Sequence, residues 1–144
     1  MQTTKILHQG ISLEIPIFLK DIWPYELTLR QWPSFCGVGS GLGDRIVPDA
    51  FFFGMAILKP ACFIHDICWC ICPNTKAGFD QSNKIFRDNL MSLTDAQLMW
   101  PFTIMARHRC DVYYELVSTV GRLYFSANNN KDCVNKKLKR LGIW

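Results

Sequence analysis

No apolar run in this 144-residue chain reaches the ~20 residues that cross a bilayer as a helix. The longest candidate, Ala50 to Leu58, is about half that length. Met1 to Leu19 lacks a positively charged start, a long apolar centre and a small-residue cleavage site, so no signal peptide is expected. The expectation is a cytoplasmic protein or one exported by a signal-independent route, a setting in which disulfides are not assured. There is no internal repeat and no low-complexity segment. Charged residues make up only 19% against 49% hydrophobic, the reverse of a disordered chain, so a single folded domain over residues 1–144 is expected.

The glycine-rich stretch from Trp32 to Asp49 also lacks the common glycine fingerprints. A dinucleotide loop needs G-x-G-x-x-G, yet counting from Gly37 or Gly39 the sixth position is Leu42 or Asp44. A phosphate loop needs a following G-K-[ST], and no lysine follows. A nucleophile elbow G-x-S-x-G needs glycine at 38, where Val38 stands. What remains is a surface loop, or a cradle in which glycines turn peptide carbonyls inward toward a hard cation.

Cysteine, by contrast, is plentiful, and its count of seven is odd, so the cysteines cannot all pair within one chain. The positive charge is localised. Residues 1–104 carry eight basic and nine acidic side chains, net −1, and residues 105–144 carry eight and three, net +5. Lys136, Lys137, Lys139 and Arg140 lie among Leu138, Leu141, Ile143 and Trp144, a mixture that suits an anionic phospholipid membrane surface. The same charge would attract nucleic acid, but no nucleic-acid partner is expected. Residues 127–144 read as a basic tail and residues 1–30 as an N-terminal arm, with Ile11 to Phe18 an extended arm or an edge strand, broken by Pro16.

Helix signals dominate the rest. Pro60 suits a first turn and Pro73 an end, predicting a helix over 60–72. A second runs from after Gly78 to about Leu93, with Phe79, Asn83, Phe86 and Leu90 on one face. Thr94 and Gln97 resemble a capping box before a third, long helix that Pro101 should start or kink. Leu98, Phe102, Met105, Ala106, Cys110, Tyr113, Val117, Val120 and Tyr124 would form its buried stripe, and Asn128 to Asn130 would end it.

On the first helix Cys62, His65, Cys68 and Trp69 share a face, while Asp66 points about 100° away. That allows separate work: an imidazole that accepts a proton near neutral pH, and a carboxylate that holds a hard cation. Zinc is the rival, since Cys62, His65, Cys68, Cys70 and Cys72 crowd the segment. Residues of one helix do not readily close a tetrahedron, however, and paired C-x-x-C knuckles are missing.

Phe35-Cys36-Gly37-Val38-Gly39 resembles the X-C-G-X-G calcium loop of the phospholipase A2 family. Cys62-Phe63-Ile64-His65-Asp66-Ile67-Cys68-Trp69 resembles its C-x-x-H-D-x-C-Y helix. Val47-Pro48-Asp49-Ala50, and Ala106-Arg107 followed by Tyr113-Tyr114-Glu115, are similar to small bacterial and prophage-encoded members. The resemblance is specific over residues 35–69, looser over 79–126 and absent at both ends. It implies a mainly α fold with two antiparallel active-site helices, a glycine-rich calcium loop and a long third helix. It implies calcium-dependent hydrolysis of the sn-2 acyl ester of phospholipids, with His65 as general base and Ca²⁺ held by Asp66 and the carbonyls of Phe35, Gly37 and Gly39. It also implies the Gly37 N–H as an oxyanion donor, and bridges Cys36 to Cys62 and Cys68 to Cys110.

Some positions depart from the family pattern. Trp69 replaces a tyrosine, and an indole donates a hydrogen bond without accepting one. The carboxylate that should orient His65 has three candidate positions: Asp111, placed first because Cys110-Asp111 matches the animal enzymes; Asp80; and Asn83, which stands where bacterial relatives carry aspartate. Phe51, Phe52 and Phe53 are candidates for the rim of an acyl slot or for membrane contact, together with Lys136, Lys137, Lys139, Arg140 and Trp144, and the three phenylalanines are equally candidates for the core. A non-catalytic module of the same fold, binding membranes or a partner protein, is the alternative.

Overall fold

Gln9 and Gly10, with φ of 52° and 80°, close a tight hairpin between strands β1 (Thr3–His8) and β2 (Ile11–Pro16). Positive φ at both turn positions matches the right-handed twist of paired strands, and glycine adopts it without steric cost. The computed structural model describes residues 1–36, 48–128 and 131–143. Ile6 pairs with Leu13 and His8 with Ile11, so the alternating Ile11, Leu13 and Ile15 all turn into the core. The expected extended arm is therefore half of a hairpin. The other edge of β2 is closed by an amide side chain: Asn89 Oδ1 accepts from Glu14 N, and Asn89 Nδ2 donates to Glu14 O, both at 2.8 Å. Those strand groups thereby gain protein partners.

A short second hairpin, β3 (Ala50–Phe51) and β4 (Ala56–Ile57), precedes the helices. Helix α1 (Lys59–Ile71) has Pro60 in its first turn, and nearly its whole circumference is buried, in keeping with a sequence that is apolar apart from Lys59, His65 and Asp66. Helix α2 (Lys76–Gln97) is capped by Thr75, whose hydroxyl accepts from Gly78 N at 3.1 Å. A Cβ on Gly78 would lie 2.3 Å from Pro73 O, so only glycine lets the turn fold back onto this helix. Thr94 and Gln97 do not cap the third helix as expected. They belong to α2, where Thr94 is buried and Gln97 donates to Ile57 O and accepts from Ile57 N, both at 2.9 Å.

Helix α3 (Phe102–Asn128) follows directly on Pro101. Among the described residues its buried side is Ala106, Cys110, Gly121 and Phe125, with Tyr113 and Val117 half-buried against the core, whereas Phe102, Met105 and Val120 of the expected stripe are exposed. Where a basic tail is expected, helix α4 (Lys131–Leu141) packs on α1 with Leu138 and Leu141 buried and Val134 half-buried beside the core. The spacing of those three supplies the apolar face that docks it, and the charge run had obscured that spacing. Trp23, Trp32, Phe35 and Phe63 form an aromatic cluster beneath α1. The fold is mainly α.

Candidate active site

Trp69 lies against Phe79, and His65 reaches Asn83, the register of an antiparallel α1–α2 pair. His65 Nε2 and Asn83 Oδ1 are 2.9 Å apart, and Trp69 Nε1 donates to the same oxygen at 3.2 Å. Because an indole can only donate, the amide must present its oxygen there. Nε2 of His65 then carries its proton toward that oxygen, and the lone pair remains on Nδ1. The ring stacks on Phe86 at 4.4 Å and meets Trp69 at 4.5 Å. Burial pushes the His65 pKa from 6.5 to about 4; the Asn83 hydrogen bond opposes the shift and the Lys137 charge adds to it. At neutral pH the imidazole is therefore neutral and able to accept a proton.

Neither aspartate expected to orient His65 does so. Asp111 accepts from Arg87 Nε at 2.7 Å, and Asp80 accepts from Lys76 at 2.6 Å on the exposed side of α2. The cause is helix register. Chain direction reverses after α2, so Cys110 meets Thr94 at 3.5 Å while Gly121 and Phe125, more than two turns further on, lie at Trp69. The same register overturns the expected bridge between Cys68 and Cys110, which are separate buried thiols. The Cys36–Cys62 bridge is present, and a second joins Cys70 of α1 to Cys133 of α4. No motif pointed to that pairing, because it exists only once α4 is a docked helix. Two of the five residues considered for zinc are thus already bridged.

Asp66 projects from the other side of α1 and is paired with Lys137 of α4. Burial raises its pKa, and the nearby charges of Lys137 and Arg140 act against that rise. Among the described residues no three His, Cys, Asp or Glu side chains converge as a metal-binding group. A hard cation here would draw on Asp66 and backbone carbonyls, a donor set that suits calcium. The Asp66 carboxylate is already engaged by the Lys137 ammonium. Phe35, the described member of the loop set, is buried on Phe63 with the Arg140 guanidinium over its ring at 5.1 Å. Gly37, Gly39 and Trp144 lie outside the described residues.

The three phenylalanines separate. Phe51 takes the core alternative, stacked on Tyr113, and is no membrane contact; Phe52 is half-buried on Phe102, and Phe53 is fully exposed at the hairpin tip. Phe52 and Phe53 both have positive φ, 48° and 55°, an uncommon conformation for bulky residues. Met55, Met99 and Trp100 are also exposed, and Gln97 ties the end of α2 to the same hairpin. Lys136, Lys139 and Arg140 are exposed.

Comparison with family models, with curated proteins and with solved structures returned no match.

Proposed function

We propose that the chain hydrolyses an acyl ester of phospholipids, the sn-2 ester in the family it resembles, by a calcium-dependent reaction with water as nucleophile. The observation that carries this reading is His65: a buried, neutral imidazole tied at Nε2 and bearing its lone pair at Nδ1. Nδ1 takes a proton from water as the water oxygen bonds to the acyl carbon. The proton passes to the leaving alkoxide when the ester bond breaks, giving a fatty acid and a lysophospholipid. Asn83 and Trp69 hold the ring during both transfers. A neutral amide stabilises the imidazolium less than a carboxylate would, so this base is slower than an aspartate-paired one.

Asp66 and the Phe35 carbonyl, with Gly37 and Gly39 of the resembled loop, would hold Ca²⁺, which when bound supplies Lewis-acid polarisation of an ester carbonyl. Gly37 N–H is the oxyanion donor that the resemblance implies. No serine or cysteine nucleophile is required. Exposed Phe53, Met55 and Trp100, and separately the exposed Lys136 and Lys139 of α4, are the apolar and basic side chains offered to an anionic phospholipid membrane.

The Asp66–Lys137 pair and the amide at Asn83 favour one second reading, a non-catalytic module that binds membranes or a partner protein. Fatty-acid release from mixed phospholipid vesicles, with calcium and with chelator, separates the two. Calcium-dependent release supports hydrolysis, and vesicle binding without release from any lipid supports the module.

A further inference from the structure

Asp66 and Lys137 are 71 positions apart and meet only because α4 docks on α1. Their side chains are 19% and 30% exposed, well below a surface pair. Three other contacts hold α4 in place: the Cys70–Cys133 bridge, the buried Leu138 and Leu141, and Arg140 over the Phe35 ring. Lys137 therefore reaches Asp66 from a tethered helix rather than by a chance swing of a long side chain. Arg140 adds a second positive charge to the field at the carboxylate. An ammonium on the Asp66 carboxylate supplies the positive charge a divalent ion would supply. A divalent ion beside that ammonium would meet one like charge at contact distance and the field of a second, in a region of reduced dielectric.

We infer that Lys137 is a resident counter-cation of Asp66 that excludes a divalent metal ion, so that α4 is an internal strap setting the calcium concentration at which the carboxylate is taken over. The inference rests on the calcium reading above. It adds a competitor built into the chain, and makes calcium entry and the Lys137 contact alternatives at one oxygen pair.

Calorimetric titration of Ca²⁺ into the oxidised full chain, compared with Lys137→Gln and with Lys139→Gln as a control, tests it. Lys137→Gln is expected to bind calcium at least about tenfold more tightly than the wild type, with Lys139→Gln unchanged to within about twofold; tenfold corresponds to about 1.4 kcal/mol. Equal affinity in the wild type and Lys137→Gln overturns the strap and leaves the calcium reading standing. No binding to either overturns both. A second measurement needs no variant: hydrogen exchange of the α4 amides in the wild type should accelerate as calcium saturates the protein. Exchange unchanged at saturation overturns the strap even if Lys137→Gln fails to fold.

Discussion

Trp69 and His65 share one acceptor, Oδ1 of Asn83, at 3.2 and 2.9 Å. The sharing fixes the orientation of the amide, the amide fixes the tautomer, and the tautomer leaves Nδ1 as the basic atom. It also leaves Asn83 Nδ2 buried with no hydrogen-bond partner among the described residues, a cost that positions the ring without adding charge.

Asn83→Asp should place a carboxylate against Nε2 and raise the His65 pKa by about 1 to 3. Fatty-acid release at neutral pH should rise with it, because the base becomes stronger. The new carboxylate oxygen replaces an unpartnered Nδ2 and remains poorly solvated, so stability should fall by about 1–3 kcal/mol. Titration of the imidazole by NMR, alongside denaturant unfolding, measures both effects. An unmoved pKa would contradict the proposed geometry.

Acid should destabilise the fold through His65. Its folded pKa is about 4 against an ordinary 6.5, so between these values the unfolded chain binds the extra proton. The contribution from keeping the ring neutral is present in full above about pH 6.5 and is lost as the pH falls through 4, on the order of 3 kcal/mol in total. Urea unfolding followed from pH 7 to pH 4 should show this loss, and His65→Asn should flatten that part of the curve.

Gly121→Ala tests how the back of α3 supports the site. A Cβ there would approach the Trp69 ring to 2.7 Å. The indole has little room to yield, since Phe79, Phe125 and His65 surround it and Asn83 holds its nitrogen. Overpacking of this kind costs about 1–3 kcal/mol and should shift Trp69 away from Asn83. The expected outcome is lower stability together with a raised His65 pKa as water gains access. Wild-type values for both would show that the contact is slack.

The phenylalanines at 51 and 53 should behave oppositely. Phe51→Ala empties a fully buried, stacked position and should cost about 3–5 kcal/mol. Phe53→Ser should leave stability within about 0.5 kcal/mol and weaken sedimentation with anionic vesicles. Unchanged vesicle binding would remove Phe53 from the membrane surface.

Much of α1 and α2 was legible because Phe79, Asn83, Phe86 and Leu90 recur at helical spacing and do form one buried face. Asn83 is among the candidates for orienting His65, but the Cys110-Asp111 pair favours Asp111. Which residue of α3 lies level with His65 depends on where that helix begins, and Thr94 and Gln97 misleadingly suggested an earlier start. Of the N-terminal hairpin only the second strand is legible, because Gln9-Gly10 is a weaker turn signal than Asn-Gly or Asp-Gly. Helix α4 is hidden in the sequence because its basic residues outnumber its apolar ones. With it went the Cys70–Cys133 bridge and the Lys137 contact, both of which depend on how one helix docks upon another.

The most direct measurement compares fatty-acid release by the wild type and by His65→Asn, on mixed phospholipid vesicles with saturating calcium. The account predicts that the wild type releases fatty acid and that the variant, folded by circular dichroism, loses about 10²- to 10⁴-fold, the contribution of a general base. Release by the variant at the wild-type rate would contradict it.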